Sequence, residues 1–403
     1  MKIGELAIKA FHVGSVAAKA VAIGANKIWQ AVKWIIFKDP VVDQICATNW
    51  GDGEHITPEQ AAKVTSIGNV FQGNTEITSF DELSMFSNVK TLQNTFQDCS
   101  GLKTIDLTHI EHIDTNSFNG CSSLGIDVNM PNLKTMKGGG IFKNSGIVSV
   151  SNLGYIEEIQ SVYNKDGAFQ DCVELEIVVL PPTLRSIGVK DSTLHIRTFK
   201  GCSKLKAINL DNIEYICQEA FANCANLNIV FSSDKITNIP SSAFTNSGIT
   251  GINLPNVTSI GNFAFNGTKI GGVLRLPNLE TINAGGAFNK TLITEVADFG
   301  RIVNLSPAAG YGLFMSCTNL TKVVLPNTIA YIKGWAFYDA RALNTLVIYA
   351  VTPPELELSA FGGTKISSGV IYVPDESVDA YKAATNWSNY ADRIKSLSDY
   401  KEE

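Results

Sequence analysis

No stretch of about 18 apolar residues occurs in the 403-residue chain, so no helix of membrane-spanning length is expected. Charge is scarce too. Asp, Glu, Lys and Arg make up 17% of the residues, too few for a coiled coil, while 45% apolar residues are too many for a disordered chain. The net charge of −6 disfavours wholesale nucleic-acid binding. Catalytic signatures are missing: there is no Gly-x-Ser-x-Gly elbow, no phosphate loop and no His-Glu-x-x-His. Histidine is rare, and His109 and His112 flank Glu111 at a spacing that does not converge two rings in a strand-and-turn context. They are expected to be exposed, with Ile110 and Ile113 inward. Glu157 and Glu158 read as solvated turn residues. Neither enzymatic activity nor a cofactor is expected. Glu5, Lys9 and Lys19 interrupt every apolar stretch near the start, so no cleavable export signal is expected.

What the sequence does have is a repeat. Phe recurs at 71, 96, 118, 142, 169, 199, 221, 244, 265, 288, 314, 337 and 361, a mean spacing close to 24 residues. About five residues earlier stands Ile, as at Ile113, Ile216, Ile239, Ile260 and Ile332. After each Phe comes an apolar triplet, such as Leu205, Ile208, Leu210 or Leu320, Val323, Leu325, often followed by Pro, as at Pro255 and Pro326. A unit this short cannot bury its own Phe and Leu. Stacked units build one continuous core, with each inward position forming a column. The triplet predicts a short strand pairing in parallel with its neighbours about 4.8 Å away, so thirteen coils make a rod of roughly 60 Å.

The third residue after each Phe is small: Asn74, Cys99, Cys121, Ser145, Cys172, Cys202, Cys224, Ser247, Thr268, Thr291, Cys317, Ala340 and Thr364. Six of the eight cysteines fall here. After Cys the next apolar residue comes three positions on, as at Leu102 or Leu205; after Ser or Thr it comes two on, as at Ile147 or Ile249. This predicts a tight inward corner in which Cys is a small, reduced, buried hydrophobe, since Ala, Ser and Thr replace it.

Units such as Leu205 to Phe221 (LKAINLDNIEYICQEAF) and Leu320 to Phe337 (LTKVVLPNTIAYIKGWAF) resemble the BspA-like leucine-rich repeats of the Treponema pallidum type. The family pattern is Leu-x-x-Ile-x-Leu-Pro, then Ile-Gly-x-x-Ala-Phe, then x-x-Cys-x-x-Leu. The resemblance covers about residues 64–373. It implies a curved α/β repeat solenoid with one parallel β-sheet, surface exposure, binding to proteins, cells or glycans, and no enzymatic activity. The loops before Phe142, Phe169 and Phe199 depart from it, and inserted residues such as Val189 to Leu194 are expected to bulge from one edge.

The two ends differ from the repeat. Ile3-Gly4, Val13-Gly14 and Ile23-Gly24 recur every ten residues, which reads as successive hairpins. A β-meander is predicted over 1–38. Its six Lys and one Glu make it about +5, leaving about −11 on the rest. Lys9, Lys19, Lys27 and Trp29 are its candidate attachment residues, for an acidic partner surface or for self-association. The pattern IKAFHVGSVAAKAVAIGANKIW also resembles short N-terminal segments of phage and prophage structural proteins.

Residues 39–66 are expected to be a helical linker and cap. Asp39-Pro40 reads as an N-cap and first helical residue, with a helix through Ile45, and Thr57 to Gln60 has capping-box spacing. Between them, residues 49–54 resemble a shortened EF-hand-type segment, leaving Asp52 and Glu59 as weak calcium candidates. The solenoid is placed at 67–373 and a C-terminal helical cap at 374–403. There Ser377 to Lys382 and Trp387 to Leu397 read as helices with Val378, Tyr381, Trp387, Tyr390 and Ile394 inward.

Binding must then come from shape. The strand residue between the last two triplet members faces the open side of the sheet: Asp106, Val179, Asn209, Asn253, Val324 and Val347. These are mixed and small, and Trp335, the one Trp in the repeat body, stands beside the core Phe337. No aromatic stripe for sugar stacking is expected on that face. Two main readings follow. One is a virion component of a phage or prophage, assembled in the bacterial cytoplasm and attached through 1–38. The other is a bacterial cell-surface adhesin of the same repeat family. A cytoplasmic scaffold is a third class. In each the partner is a protein or a host surface.

Overall fold

The computed structural model describes residues 11–13, 16–19, 32–160, 166–189, 197–282, 285–305 and 311–401. The Val189 to Leu194 bulge therefore lies mostly outside the described residues. The body is a parallel-strand solenoid of about thirteen coils. Within each coil the triplet supplies one short strand, as at Asp127–Asn129, Ser149–Asn152 and Ile177–Val178, which pair in parallel with Ser149 opposite Asp127 and Ile177. The Ile before the Phe supplies a second strand, as at His112–Ile113, Thr135–Met136 and Glu158–Ile159. These also pair in parallel, coil to coil. The single sheet of the sequence reading is thus corrected to two parallel series. The reason is geometric: in a stack of near-identical coils, any extended stretch meets its equivalent one coil on, and its backbone groups need partners.

The phenylalanines form the predicted column. Neighbouring rings from Phe71 to Phe361 stack with centroids 5.2–5.7 Å apart. Even at this turn the coils are pinned, since the Phe118 N–H donates to Ile141 O at 2.7 Å and the Phe142 N–H to Ala168 O at 2.7 Å. Two residues after every one of these phenylalanines the chain turns left-handed, with φ of 54° to 78° from Gly73 and Asp98 to Asp339 and Gly363. Gly, Asn and Asp fill most of these positions because they tolerate that conformation.

At the N-terminal end, β1 (Phe11–Val13), β2 (Val16–Lys19) and β3 (Val32–Ile35) form an antiparallel sheet. Its last strand runs into the solenoid. Ile35 and Phe37 are buried, the Ile35 N–H donates to Ile56 O at 2.9 Å, and Phe37 meets Phe80 at 6.1 Å. Helix α1 spans Pro40–Trp50, a turn longer than expected, and α2 spans Pro58–Ala61 with the Thr57–Gln60 capping box formed. Asp39 caps α1 through the Val41 N–H at 2.8 Å. Its other oxygen accepts from the Thr78 N–H at 2.6 Å and the Thr78 hydroxyl at 2.7 Å, which ties the cap to the first coil.

The C-terminal cap is only partly helical. Helix α3 covers Val378–Ala383, but Trp387–Arg393 is a 3₁₀ turn, and Ile394–Ser396 is a further strand paired in parallel with Val370–Val373. The inward residues are as expected: Tyr381, Trp387 and Ile394 are buried, with Val378 and Tyr390 packed against them. The second helix gives way because the last coil offers an unpaired strand edge, and the chain satisfies it.

Candidate binding surfaces

The cysteine column is built as a structural device. The thiols of Cys99, Cys121, Cys172, Cys202, Cys224 and Cys317 each donate to the carbonyl of a Phe one coil earlier, at 2.9–3.1 Å. Where Thr takes the slot, as at Thr291 and Thr364, its hydroxyl donates instead to its own coil's Phe, at 2.9 and 2.8 Å. All eight cysteines are free and buried. Burial pushes Cys99, Cys217 and Cys317 up to about 11 and Cys172 to about 12, so these thiols are protonated and poorly nucleophilic at neutral pH.

Asp52 closes a turn. It accepts from the N–H groups of Glu54 at 3.0 Å and His55 at 2.6 Å, and the His55 and Glu54 amides hold its carboxyl below the usual range. Glu59 sits on α2, in its first turn. Among the described residues, no group of three or more His, Cys, Asp or Glu is placed to hold a metal ion. His109 and His112 are half-buried rather than exposed, and burial followed by the charge of Lys90 lowers the His109 pKa. The His112 ring lies 2.8 Å from the Thr135 hydroxyl. Of the attachment candidates, Lys9, Lys27 and Trp29 lie outside the described residues, and Lys19 ends β2.

The open side of the triplet strands is where sequence reasoning placed the binding face. Alternation holds there: Val178, Phe231 and Leu274 are buried, while Ile177, Val179, Val230 and Val273 are exposed. The six named residues divide. Val179 is exposed and Val324 half-buried. Asp106 accepts from the Thr108 N–H at 2.9 Å and hydroxyl at 2.6 Å, holding its own turn. Asn209 exchanges two bonds with the Leu180 backbone, at 2.7 and 3.0 Å, and so replaces a ladder pair. Asn253 donates to the Ser232 hydroxyl at 3.2 Å.

Val347 is corrected: it is fully buried. It pairs with Val324 and Tyr372, and the C-terminal residues close over this part of the face. Tyr400 packs on Tyr372 with centroids 5.1 Å apart and accepts from Lys322 Nζ at 3.1 Å. Beside this cover, Asp298, Val324, Asn327 and Tyr349 line a shallow depression.

Sequence reasoning missed a second surface. On the turn face, Phe263 and Tyr311 meet edge to face at 5.2 Å, and Trp335 and Tyr338 are exposed on the following coil. The missed signal is an aromatic residue two or three positions before, or one after, the buried Phe.

No functionally curated protein matches the chain. The family model described as BspA type Leucine rich repeat region (6 copies) matches residues 56–165, 161–294 and 308–387. Among solved structures, a leucine-rich repeat protein from Bacteroides ovatus is 19% identical, with a TM-score of 0.59 over 98% of this chain and 100% of that one. A leucine rich cell surface protein from Faecalibacterium prausnitzii is also 19% identical, over 66% of this chain and 84% of that one, with a TM-score of 0.37. A leucine-rich repeat protein from Eubacterium ventriosum is 17% identical, over 72% and 82%, again at 0.37. The first likeness shows the fold. No helix among the described residues is long and apolar enough to cross a membrane.

Proposed function

The chain belongs to the BspA-type leucine-rich repeat family, and from that premise we propose that it is a non-enzymatic binding protein of the bacterial cell surface, presenting its solenoid to a protein partner. The observation that carries this reading is the open strand face. Ile177, Val179, Val230 and Val273 leave apolar side chains in water on a rigid backbone. Exposed apolar surface of this kind, rimmed by paired charges such as Lys206 with Glu176 at 3.0 Å, suits protein contact. The family resemblance supports display at the surface.

The basic segment 1–38 is proposed as the attachment module, acting on an acidic surface through Lys9, Lys19, Lys27 and Trp29. A virion role has only the phage-like pattern of this segment behind it, and the family match, which begins at residue 56, lends it no support.

Beads coated with the full chain test the binding face. Adherence to cultured animal cells or to other bacteria is expected, and Val179→Asp with Val273→Asp should reduce it at least ten-fold. Equal adherence of the double variant would move the binding function off this face.

A further inference from the structure

The turn face is polar over most of the rod. Three positions share it: three residues before, two residues before and one residue after each buried Phe. Contacts between them show this, as Asn119 donates to Asn116 at 3.3 Å, Lys143 pairs with Asp166 at 2.8 Å and Arg197 pairs with Glu219 at 3.3 Å. Between Phe263 and Tyr338 the same positions turn aromatic. Tyr311 is 48% exposed, Trp335 42% and Tyr338 41%.

The backbone makes this choice unfavourable. In eight coils the chain is left-handed two residues before the buried Phe, and Asn94, Asn116, Gly140, Glu219, Ser242 or Gly286 occupies that site in six of them. Here it holds Phe263 at φ +52° and Trp335 at φ +63°. Bulky residues in this conformation are strained. Full core burial does not offset the strain at Trp335, which is 42% exposed.

The neighbours keep the rings uncovered. A Cβ on Gly286 would lie 2.7 Å from the Phe263 ring, and one on Gly362 would lie 2.8 Å from the Tyr338 ring. Glycine at these two places lets each ring lie flat across the next coil. Because Gly286 has no side chain, Phe263 and Tyr311 meet across two coils. Tyr311 and Trp335 stand on adjacent coils, with the Gly312 backbone against the Trp335 carbonyl.

The polar groups indicate what the rings meet. Asn289, one residue after Phe288 on this face, is 4% exposed, and its Oδ1 is buried without a hydrogen-bond partner. A buried amide oxygen of this kind needs a donor, which a ligand hydroxyl or a water can supply. The charges flanking Trp335 and Tyr338 are already paired: Lys333 with Glu355 and Glu357 at 3.5 Å each, and Arg341 with Asp339 at 2.7 Å. Lys290 remains as one exposed cation two residues past Phe288. Flat apolar ring faces, interleaved with hydrogen-bonding groups and paired charges, fit a neutral ligand with apolar C–H faces and hydroxyl donors. We propose that the turn face from Phe263 to Tyr338 is a binding site for neutral carbohydrate. It lies apart from the open strand face and stands or falls independently of it.

The test uses the full chain on an array of neutral oligosaccharides and polysaccharides, including glucans, mannans, xylans and galactans, beside Trp335→Asn and Tyr311→Ala. Asn is the natural occupant of the same position in other coils, so Trp335→Asn relieves strain. The proposal expects binding to at least one saccharide, lost ten-fold or more in each variant, while the melting temperature of Trp335→Asn stays level or rises. A purely structural role for Trp335 would lower that melting temperature. No retention on any neutral saccharide, equal retention by the variants, or binding only to protein ligands would overturn it.

Discussion

The thiol of Cys202 reaches one coil back and donates to the carbonyl of Phe169 at 3.0 Å. Thr291, in the equivalent slot, bonds its own coil's Phe288 at 2.9 Å. The longer loop after Cys and the shorter loop after Thr therefore accompany two different ways of satisfying the same row of carbonyls. A hydroxyl placed in a Cys slot is expected to fit worse. Cys202→Ser should cost about 1–3 kcal/mol, from burying a more polar group without a well-placed partner. Urea unfolding measures this, and a cost near zero would show the slot to be indifferent.

The thiols should be inert in the folded protein. A neutral-pH alkylating agent is expected to modify none of the eight until the chain is denatured, and then all eight without prior reduction. Stability should also fall at alkaline pH. The folded thiols titrate above their ordinary value of 9.0, with Cys99, Cys217 and Cys317 near 11 and Cys172 near 12. The unfolded chain therefore releases its protons first, and stability is lost as pH rises from about 9 toward 11. Each thiol contributes up to about 1.4 kcal/mol per pH unit in that window. Thermal melts at pH 8 and pH 10 check the sign, and a flat profile would contradict it.

Phe199 stacks on Phe169 at 5.2 Å and on Phe221 at 5.5 Å. Phe199→Ala should cost about 3–5 kcal/mol, because a gap in the column cannot collapse between pinned coils. Stability in a stack is local, so hydrogen exchange should rise most in the coils around residue 199 and least at the ends. Uniform loss along the rod would argue against nearest-neighbour stacking.

The N-terminal segment divides within itself. Deleting residues 1–31 is expected to leave the melting transition in place. Deleting 1–38 removes the buried Ile35 and Phe37, together with the Lys38 contact to Asp81 at 2.9 Å, and should lower it by several degrees. Identical melts for the two truncations would show that the cap needs neither residue.

The inward residues were the legible part of this molecule. Phe, the small slot and the Leu triplets recur because each must fit the same residue one coil away, and such columns mark the sequence directly. The left-handed turn after each Phe was also written there, as Gly120, Asn144 or Asp171, although only the backbone geometry gives those residues their meaning. The second parallel series was hidden because a two-residue strand such as Tyr215–Ile216 has too little length for alternation to register. Val347 looked outward by strict alternation, and it is buried beside Tyr372, its ladder partner, on which Tyr400 packs from more than fifty residues later. Phe263, Tyr311 and Tyr338 escaped notice for a related reason. They sit at three different offsets from the repeat, and only the turn brings them onto one face.

Display of this solenoid on the cell surface is the premise of the proposed binding role. Antibody labelling of intact, unpermeabilised cells of the encoding bacterium tests it most directly, with protease shaving of the same cells as the second readout. Labelling of intact cells that shaving removes is expected. Labelling only after permeabilisation, or recovery of the chain in purified phage particles instead, would contradict it.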